Sequence, residues 1–304
     1  GKVEMYGQTY HCWKKKGHGY MSLKNAIKQS CDIYFYEVAR LLGVDKLNLT
    51  AEKFGLGKKV LGEYFPNEKQ GVFPSTKWKK EAIGQNWYLG ETFITGIGQG
   101  YIQTNPLQLC LMTAQLANGG YKIYPRIALK KNQDTVEQIK NKMQQMKKIS
   151  KEKDNSILKA TENFFGTKTK EYTPLYKNSE NIKFVLDAMF KSTNELYGTS
   201  YKSRIEDPKY QFAGKTGTSQ VKRITEAERK LDLKIDQIPY KDRDHALYIA
   251  FGPYRNPRYA VSVLIEHGGS GSKVAAPIAK KLFKLIIDRH ELREQITSKN
   301  KTII

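Results

Sequence analysis

Lys215-Thr216-Gly217-Thr218, set between Gln211-Phe212-Ala213 and Ser219-Gln220-Val221, places a lysine, two hydroxyls and a glycine in series. On a strand successive side chains alternate between faces, and a glycine leaves the backbone open to an approaching chain. The run therefore reads as an edge strand that can take an extended peptide by strand addition. A tripeptide match recurs by chance, so its context has to carry the argument. Ser30-Cys31-Asp32 supplies part of that context, as an S-x-D element ahead of the apolar run Ile33 to Leu42. Ser22 to Ile27 reads as a preceding helix, which puts S-x-D on a turn between helices, although Ser or Asp there also suits a plain helix N-cap. A third set, Cys12, His18 and Cys31, has the spacing C-x5-H-x12-C. Two thiolates and an imidazole suit tetrahedral zinc, which takes four ligands, with His11 or a residue upstream of Gly1 as the fourth. The alternative is a Cys12–Cys31 disulfide beside an incidental histidine. Cys110, in an apolar helical run, reads as core.

Together these elements form an ordered series. S-x-D comes first, followed by Gly84-Gln85-Asn86-Trp87-Tyr88-Leu89-Gly90-Glu91-Thr92, Gly96-Ile97-Gly98-Gln99-Gly100-Tyr101, Thr104-Asn105-Pro106-Leu107-Gln108 and then K-T-G. Past the lysine lie Asp242 to Tyr254 and Tyr259 to Glu266. The series closely resembles the transpeptidase domain of the penicillin-binding protein 2 family over most of residues 11–290, the segment from about 130 to 170 excepted. S-x-x-K, S-D-N and K-T-G are the shared elements of penicillin-binding proteins and class A β-lactamases.

The resemblance implies an α+β fold of the penicillin-binding-protein and serine β-lactamase type, an antiparallel sheet covered by helices. It implies D,D-transpeptidation of peptidoglycan through a serine acyl-enzyme, with β-lactams as inhibitors. Ser30 would relay a proton to or from the leaving amine, and Asp32 would orient Ser30 and the upstream lysine. Asp stands where the common pattern has Asn, so an amide-like donor role is lost when it is ionised. Lys215 would attract the substrate carboxylate and keep the Ser30 proton mobile. Thr216 and Thr218 would bind that carboxylate, the Thr218 N–H would serve the oxyanion hole, and Gly217 would leave room for substrate. Some members of the family carry structural zinc on acidic, histidine and cysteine ligands around S-x-D. His18 and Cys31 match those positions, and Cys12 stands where the relatives have an acidic ligand.

The resemblance also implies a stem peptide of a lipid-linked precursor as substrate, a SEDS-type glycosyltransferase and the elongation complex as partners, and the periplasmic face of the inner membrane as location. A D,D-carboxypeptidase or β-lactamase-like hydrolase shares the motifs but passes the acyl group to water, and a non-catalytic binding role is a further alternative. The Trp87 to Gln108 signature favours the transpeptidase branch.

In this family the nucleophilic Ser of S-x-x-K lies several tens of residues before S-x-D, so it is expected upstream of Gly1 together with the membrane anchor. Five S-x-x-K matches occur within the chain, at Ser150, Ser156, Ser219, Ser270 and Ser298. The motif needs a helix, where i and i+3 share a face. Ser219 is expected on a strand, Ser270 in a flexible glycine-rich loop and Ser298 in a polar tail. Ser150 and Ser156 fall in a lysine-rich run whose amines stay solvated and protonated. The fold is therefore expected to be N-terminally incomplete, with a partial transpeptidase domain over 1–290, a variable lysine-rich insertion at 130–170 and a polar tail at 291–304.

Residues 1–65 are expected to be mostly helical. Asn105 and Pro106 should open an apolar helix that stops at Asn118-Gly119-Gly120. Ile182, Val185, Leu186 and Met189 share one helical face, and Ala275, Ile278, Ala279, Leu282, Leu285 and Ile286 mark an amphipathic helix over the sheet. Strands are expected near 211–221, 245–253 and 259–267. With 39% hydrophobic residues the 304-residue chain can bury a sizeable core. Its 52 basic and 30 acidic residues give a net charge of +22. No zinc-finger, RNP or helix-turn-helix pattern accompanies that charge, which argues against nucleic acid as a partner. A basic surface suits anionic lipid or wall polymer instead.

Overall fold

The computed structural model describes residues 1–62, 64–127, 173–222, 224–231 and 233–301. The expected insertion at 130–170, and with it Ser150 and Ser156, lies outside the described residues. The chain opens with a hairpin, β1 (Lys2–Met5) paired antiparallel with β2 (Gln8–His11). This corrects the expectation of a mostly helical start. Alternating Val3, Met5 and Tyr10 with a Tyr6-Gly7 turn at positive φ is hairpin chemistry, and helical spacing begins only at Leu23.

Next come α1 (Leu23–Gln29), α2 (Asp32–Leu42), α3 (Val44–Lys53), α4 (Thr76–Ile83), α5 (Leu89–Gly96) and α6 (Pro106–Ala117). Asn105 caps α6 as expected, in a reciprocal box with Gln108, and Pro106 fills the first turn. Gln108 is fully buried and also donates to the carbonyls of Lys58 (2.8 Å) and Gln70 (2.6 Å). One side chain thus starts the helix and ties down the loop beside it.

A three-stranded antiparallel sheet follows α7 (Ser179–Asn194), in the order β3 (Ala213–Ser219), β4 (His245–Gly252), β5 (Tyr259–Ile265). Each strand falls within its expected range: β3 is two residues shorter at each end, and β4 and β5 are one and two residues shorter at their C-terminal ends. The short helix α8 (Glu226–Leu231) lies between β3 and β4. Because β4 is central, β3 has one edge outside the sheet.

The last helix, α9 (Ala276–Lys301), covers one sheet face. Its buried stripe is Ala276, Ala279, Phe283 and Ile287, against Ala246, Tyr248, Ala250 and Val263. Ala275 and Ala279 are buried as expected, but Ile278 and Leu285 point outward and Phe283 takes the central place. The alanines carry the contact because small side chains let helix and sheet approach closely. The helix continues through 291–301, where the sequence alone suggested a tail. On the opposite face Met189 of α7 packs with Ala213 and Phe251, and Val185 and Leu186 join them as the helical spacing predicted.

Candidate active site

The turn between α1 and α2 positions S-x-D. Ser22 caps α1 by accepting from the Asn25 N–H, and Ser30 ends the helix at φ 52°, ψ 57°. The Cys31 N–H reaches back to the Ala26 carbonyl at 3.0 Å, the closure usually served by a glycine in the left-handed position. Ser30 is therefore a non-glycine residue held in a left-handed conformation, and such residues gather at functional sites. Cys31 is the N-cap of α2 without a side-chain cap bond, and Asp32 is the first helical residue. The plain N-cap alternative does not describe Ser30, which closes one helix rather than opening the next.

What holds Ser30 in place is Trp13, a residue that sequence reasoning missed. Its indole Nε1 donates to the Ser30 carbonyl (2.7 Å) and the Gln29 carbonyl (3.2 Å), and its backbone N–H donates to Asp32 Oδ2 (2.9 Å). Asp32 thus anchors the Trp13 segment beside Ser30. Burial pushes its carboxyl above the ordinary carboxylate value, offset in part by that N–H. No spacing rule links a tryptophan to a turn 17 residues away, so only the folded chain reveals the clamp.

K-T-G lies on β3 with register Lys215↔Ile249, Thr216↔Tyr248, Gly217↔Leu247 and Thr218↔Ala246. Partners in an antiparallel pair share a face, so Lys215 and Gly217 lie on one face and Thr216 and Thr218 on the other. The Lys215 ammonium donates to Ser30 Oγ, and it also reaches the Thr216 carbonyl at 3.0 Å. Two elements 185 residues apart are thereby joined through one proton-sharing contact. Burial lowers the Lys215 ammonium to about 8, against a smaller opposing pull from the Asp32 carboxylate. A lysine near 8 beside a serine hydroxyl can hold the proton or pass it on at ordinary pH. Thr216 is part-buried and Thr218 exposed, at the open edge of the sheet.

Two of the described internal S-x-x-K candidates are tied up elsewhere. Ser219 ends β3, and Lys222 pairs with Glu228 and Asp242. Ser270 caps a π-helical turn, Gly271–Ala275, which corrects the expected flexible loop. Gly271 is packed so closely on β3 and β4 that a Cβ there would meet the Leu247 carbonyl oxygen at 2.4 Å, and that packing orders the segment. Ser298 falls within the span of α9 rather than in a free tail.

Beside S-x-D, Cys12, His18 and Cys31 bring one ligand atom each within 4.8 Å of the others. Both flanking thiols are buried and all three cysteines of the chain are free. His18 Nδ1 lies 3.5 Å from Cys12 Sγ, and His18 Nε2 is buried without a hydrogen-bond partner. Burial raises the Cys12 thiol and lowers the His18 imidazole from their ordinary values. An orphaned imidazole nitrogen beside two uncrosslinked thiols fits a soft dication. Cys110 is part-buried on α6, its Sγ directed at the Ala260 carbonyl on β5, in line with a packing role.

Residues 1–284 match the family described as Transpeptidase, the penicillin binding protein transpeptidase domain. The chain belongs to that family. Among relatives of this transpeptidase domain, the peptidoglycan D,D-transpeptidase MrdA of Salmonella typhimurium (strain SL1344) is 33% identical over 279 residues, covering 92% of this chain and 40% of the relative. MrdA of Acinetobacter baumannii is 33% identical over 269 residues, 88% of this chain and 35% of the relative. The chain thus spans less than half the length of these curated relatives. Among solved structures, Pseudomonas aeruginosa PBP2 in complex with WCK 5153 superposes with a TM-score of 0.72 at 33% identity, covering 94% of this chain and 54% of that one. Helicobacter pylori PBP2 in complex with MreC gives 0.69 at 28% identity, covering 93% and 44%. The penicillin-binding-protein fold inferred from S-x-D, the tryptophan and glycine signatures and K-T-G is the fold of this transpeptidase domain.

Proposed function

We propose that this domain carries the proton-relay and carboxylate-binding half of a peptidoglycan D,D-transpeptidase. The observation that supports it most is the Lys215 to Ser30 contact, which unites S-x-D with K-T-G at the open edge of β3. In this reading a D-Ala-D-Ala stem peptide of a lipid-linked precursor adds alongside β3, with its carboxylate toward Thr216, Thr218 and the Lys215 ammonium. The nucleophilic serine and its lysine base come from the part of the enzyme outside these residues. When the acyl-enzyme forms, Ser30 delivers a proton to the leaving amine and recovers it from Lys215. When the acceptor amine attacks, the same path runs in reverse. The Thr218 N–H contributes to the oxyanion hole, and Gly217 keeps the strand surface low for the substrate backbone.

Cys12, His18 and Cys31 would hold a structural zinc. Bound there, the metal supplies a cross-link between the segment after β2 and the α1–α2 turn, with no part in the chemistry. The MreC complex of a structural neighbour supports a multiprotein setting for this domain, which in this reading is the elongation complex at the periplasmic face of the inner membrane. Among the described residues no helix is long and apolar enough to cross a membrane.

Fluorescent penicillin tests the reading. Residues 1–304 alone should form no covalent adduct, whereas the enzyme extended upstream through S-x-x-K should label stoichiometrically. Labelling of the 304-residue chain at any of the five internal candidate serines would overturn it. Chasing the acyl-enzyme with an amine acceptor against water then separates transferase from hydrolase.

A further inference from the structure

We infer that Thr199 is a positioning residue for the Thr216 hydroxyl, an inference that rests on the transpeptidase reading above. Thr199 Oγ1 lies 2.9 Å from Thr216 Oγ1 and 3.2 Å from Ser192 Oγ, and Ser192 is fully buried at the end of α7. The Thr199 backbone N–H donates to the Lys28 carbonyl at 3.3 Å, two residues before Ser30. One residue therefore touches both the strand that bears K-T-G and the helix that delivers S-x-D.

The turn carrying Thr199 is fixed by its surroundings. Tyr197 sits at φ 65°, and a Cβ on Gly198 would meet the Ser192 carbonyl oxygen at 2.3 Å. The Ser200 backbone N–H (3.0 Å) and its hydroxyl (3.1 Å) both donate to that same carbonyl. Behind them Thr193, Ser200 and the Tyr248 hydroxyl form a buried cluster with separations of 3.0 to 3.2 Å. Glu195, at the start of the turn, binds the Lys28 ammonium at 3.0 Å. The Thr199 hydroxyl is thus presented to Thr216 by a braced backbone.

The chemistry follows from counting protons. A threonine hydroxyl has one proton to donate and can accept on its oxygen. For Thr216 to donate to a substrate carboxylate, its oxygen must accept from Thr199, and Thr199 must in turn accept from Ser192. The row is then polarised outward, and each bond strengthens the next. With the Thr199 hydroxyl removed, nothing in the row directs the Thr216 proton toward the ligand.

The test uses the full-length enzyme and benzylpenicillin, a carboxylate ligand, with acylation kinetics resolved into the dissociation constant of the initial complex and the limiting acylation rate. Thr199→Val keeps the branched shape and should raise the dissociation constant about tenfold, the loss typical of a weakened hydrogen bond to a charged group, with the limiting rate within about twofold. Thr199→Ser restores the hydroxyl and should return the wild-type value. Thr216→Val should raise the constant by itself, and adding Thr199→Val to it should raise it no further, since Thr199 acts through Thr216. Thr199→Ala carries the same cycle if the valine variant shows a lowered Tm. An unchanged dissociation constant in Thr199→Val, or additive losses in the double variant, overturns the inference. A wild-type enzyme that benzylpenicillin does not acylate overturns the transpeptidase reading instead.

Discussion

Ser30 and Lys215 meet because each is held in a place that costs something. Ser30 occupies the left-handed region, closed by the Cys31 to Ala26 bond and clamped by the Trp13 indole, while Lys215 gives up hydration for a hydroxyl and a carbonyl. In the complete enzyme Lys215→Ala should slow penicillin acylation roughly 10²-fold or more, the usual cost of losing a charge-stabilising group aimed at the reacting centre. An unimpaired variant would remove Lys215 from the mechanism. The direction of the pH effect follows from the lowered value of about 8. Below it the group is an ammonium and attracts the ligand carboxylate, and above it that attraction is lost. Affinity for benzylpenicillin should therefore hold below pH 8 and weaken as pH rises beyond it. Lys215→Arg stays charged throughout and should flatten this limb of the profile. A wild-type profile without the limb between pH 7 and 10 would contradict the assignment.

At the scale of elements, α4 and α5 are joined by a charged contact that no motif announced. Lys79 is fully buried and donates to Glu91, which also accepts from the Tyr101 hydroxyl at 3.2 Å and from the Tyr88 backbone N–H at 2.8 Å. The Lys79 ammonium lies 4.5 Å from the Tyr88 ring centroid and 5.7 Å from that of Tyr101. The glycine and tryptophan signatures that carried the family resemblance thus build a cage around one ion pair. Breaking such a pair leaves an uncompensated charge, so Lys79→Ala should destabilise the domain by about 3–5 kcal/mol. Thermal or denaturant unfolding checks this, and a loss under about 1 kcal/mol would show that water reaches Glu91 freely.

This contact also marks what a sequence can disclose. The cap at Asn105 and the buried stripe of α7 were legible because they are local and periodic. S-x-D and K-T-G were legible because their residue types are rare in that order. The Trp13 clamp, the Thr199 bridge and the Lys79 cage join residues distant along the chain, or charged groups that sequence statistics place on the surface. The face of α9 was misjudged in part because Leu285 is more apolar than Ala276, yet close packing on the sheet selects the smaller side chain.

At the scale of the whole molecule, the candidate site lies where a helical part and a sheet part meet at Ser30 and Lys215, so whatever fixes S-x-D sets the geometry of that contact. On the helical side S-x-D is fixed by the segment after β2, through Trp13 on Ser30 and Asp32 and through Cys12 and His18 beside Cys31. A zinc on those three residues would add direct metal–ligand bonds to these weaker contacts, with Ser30 and Asp32 flanking a ligand. Full-length protein purified without chelator should then hold about one zinc per chain. Its removal should lower both Tm and the acylation rate, because the turn would be left to the Trp13 hydrogen bonds and loop packing. Cys31→Ser should reproduce both losses, whereas Cys110→Ser, on α6, should produce neither. Elemental analysis decides the first point, and mass spectrometry under non-reducing conditions decides its alternative. Zinc-free protein with a Cys12–Cys31 disulfide would mean that a covalent staple, rather than a metal, holds the S-x-D turn to the segment after β2.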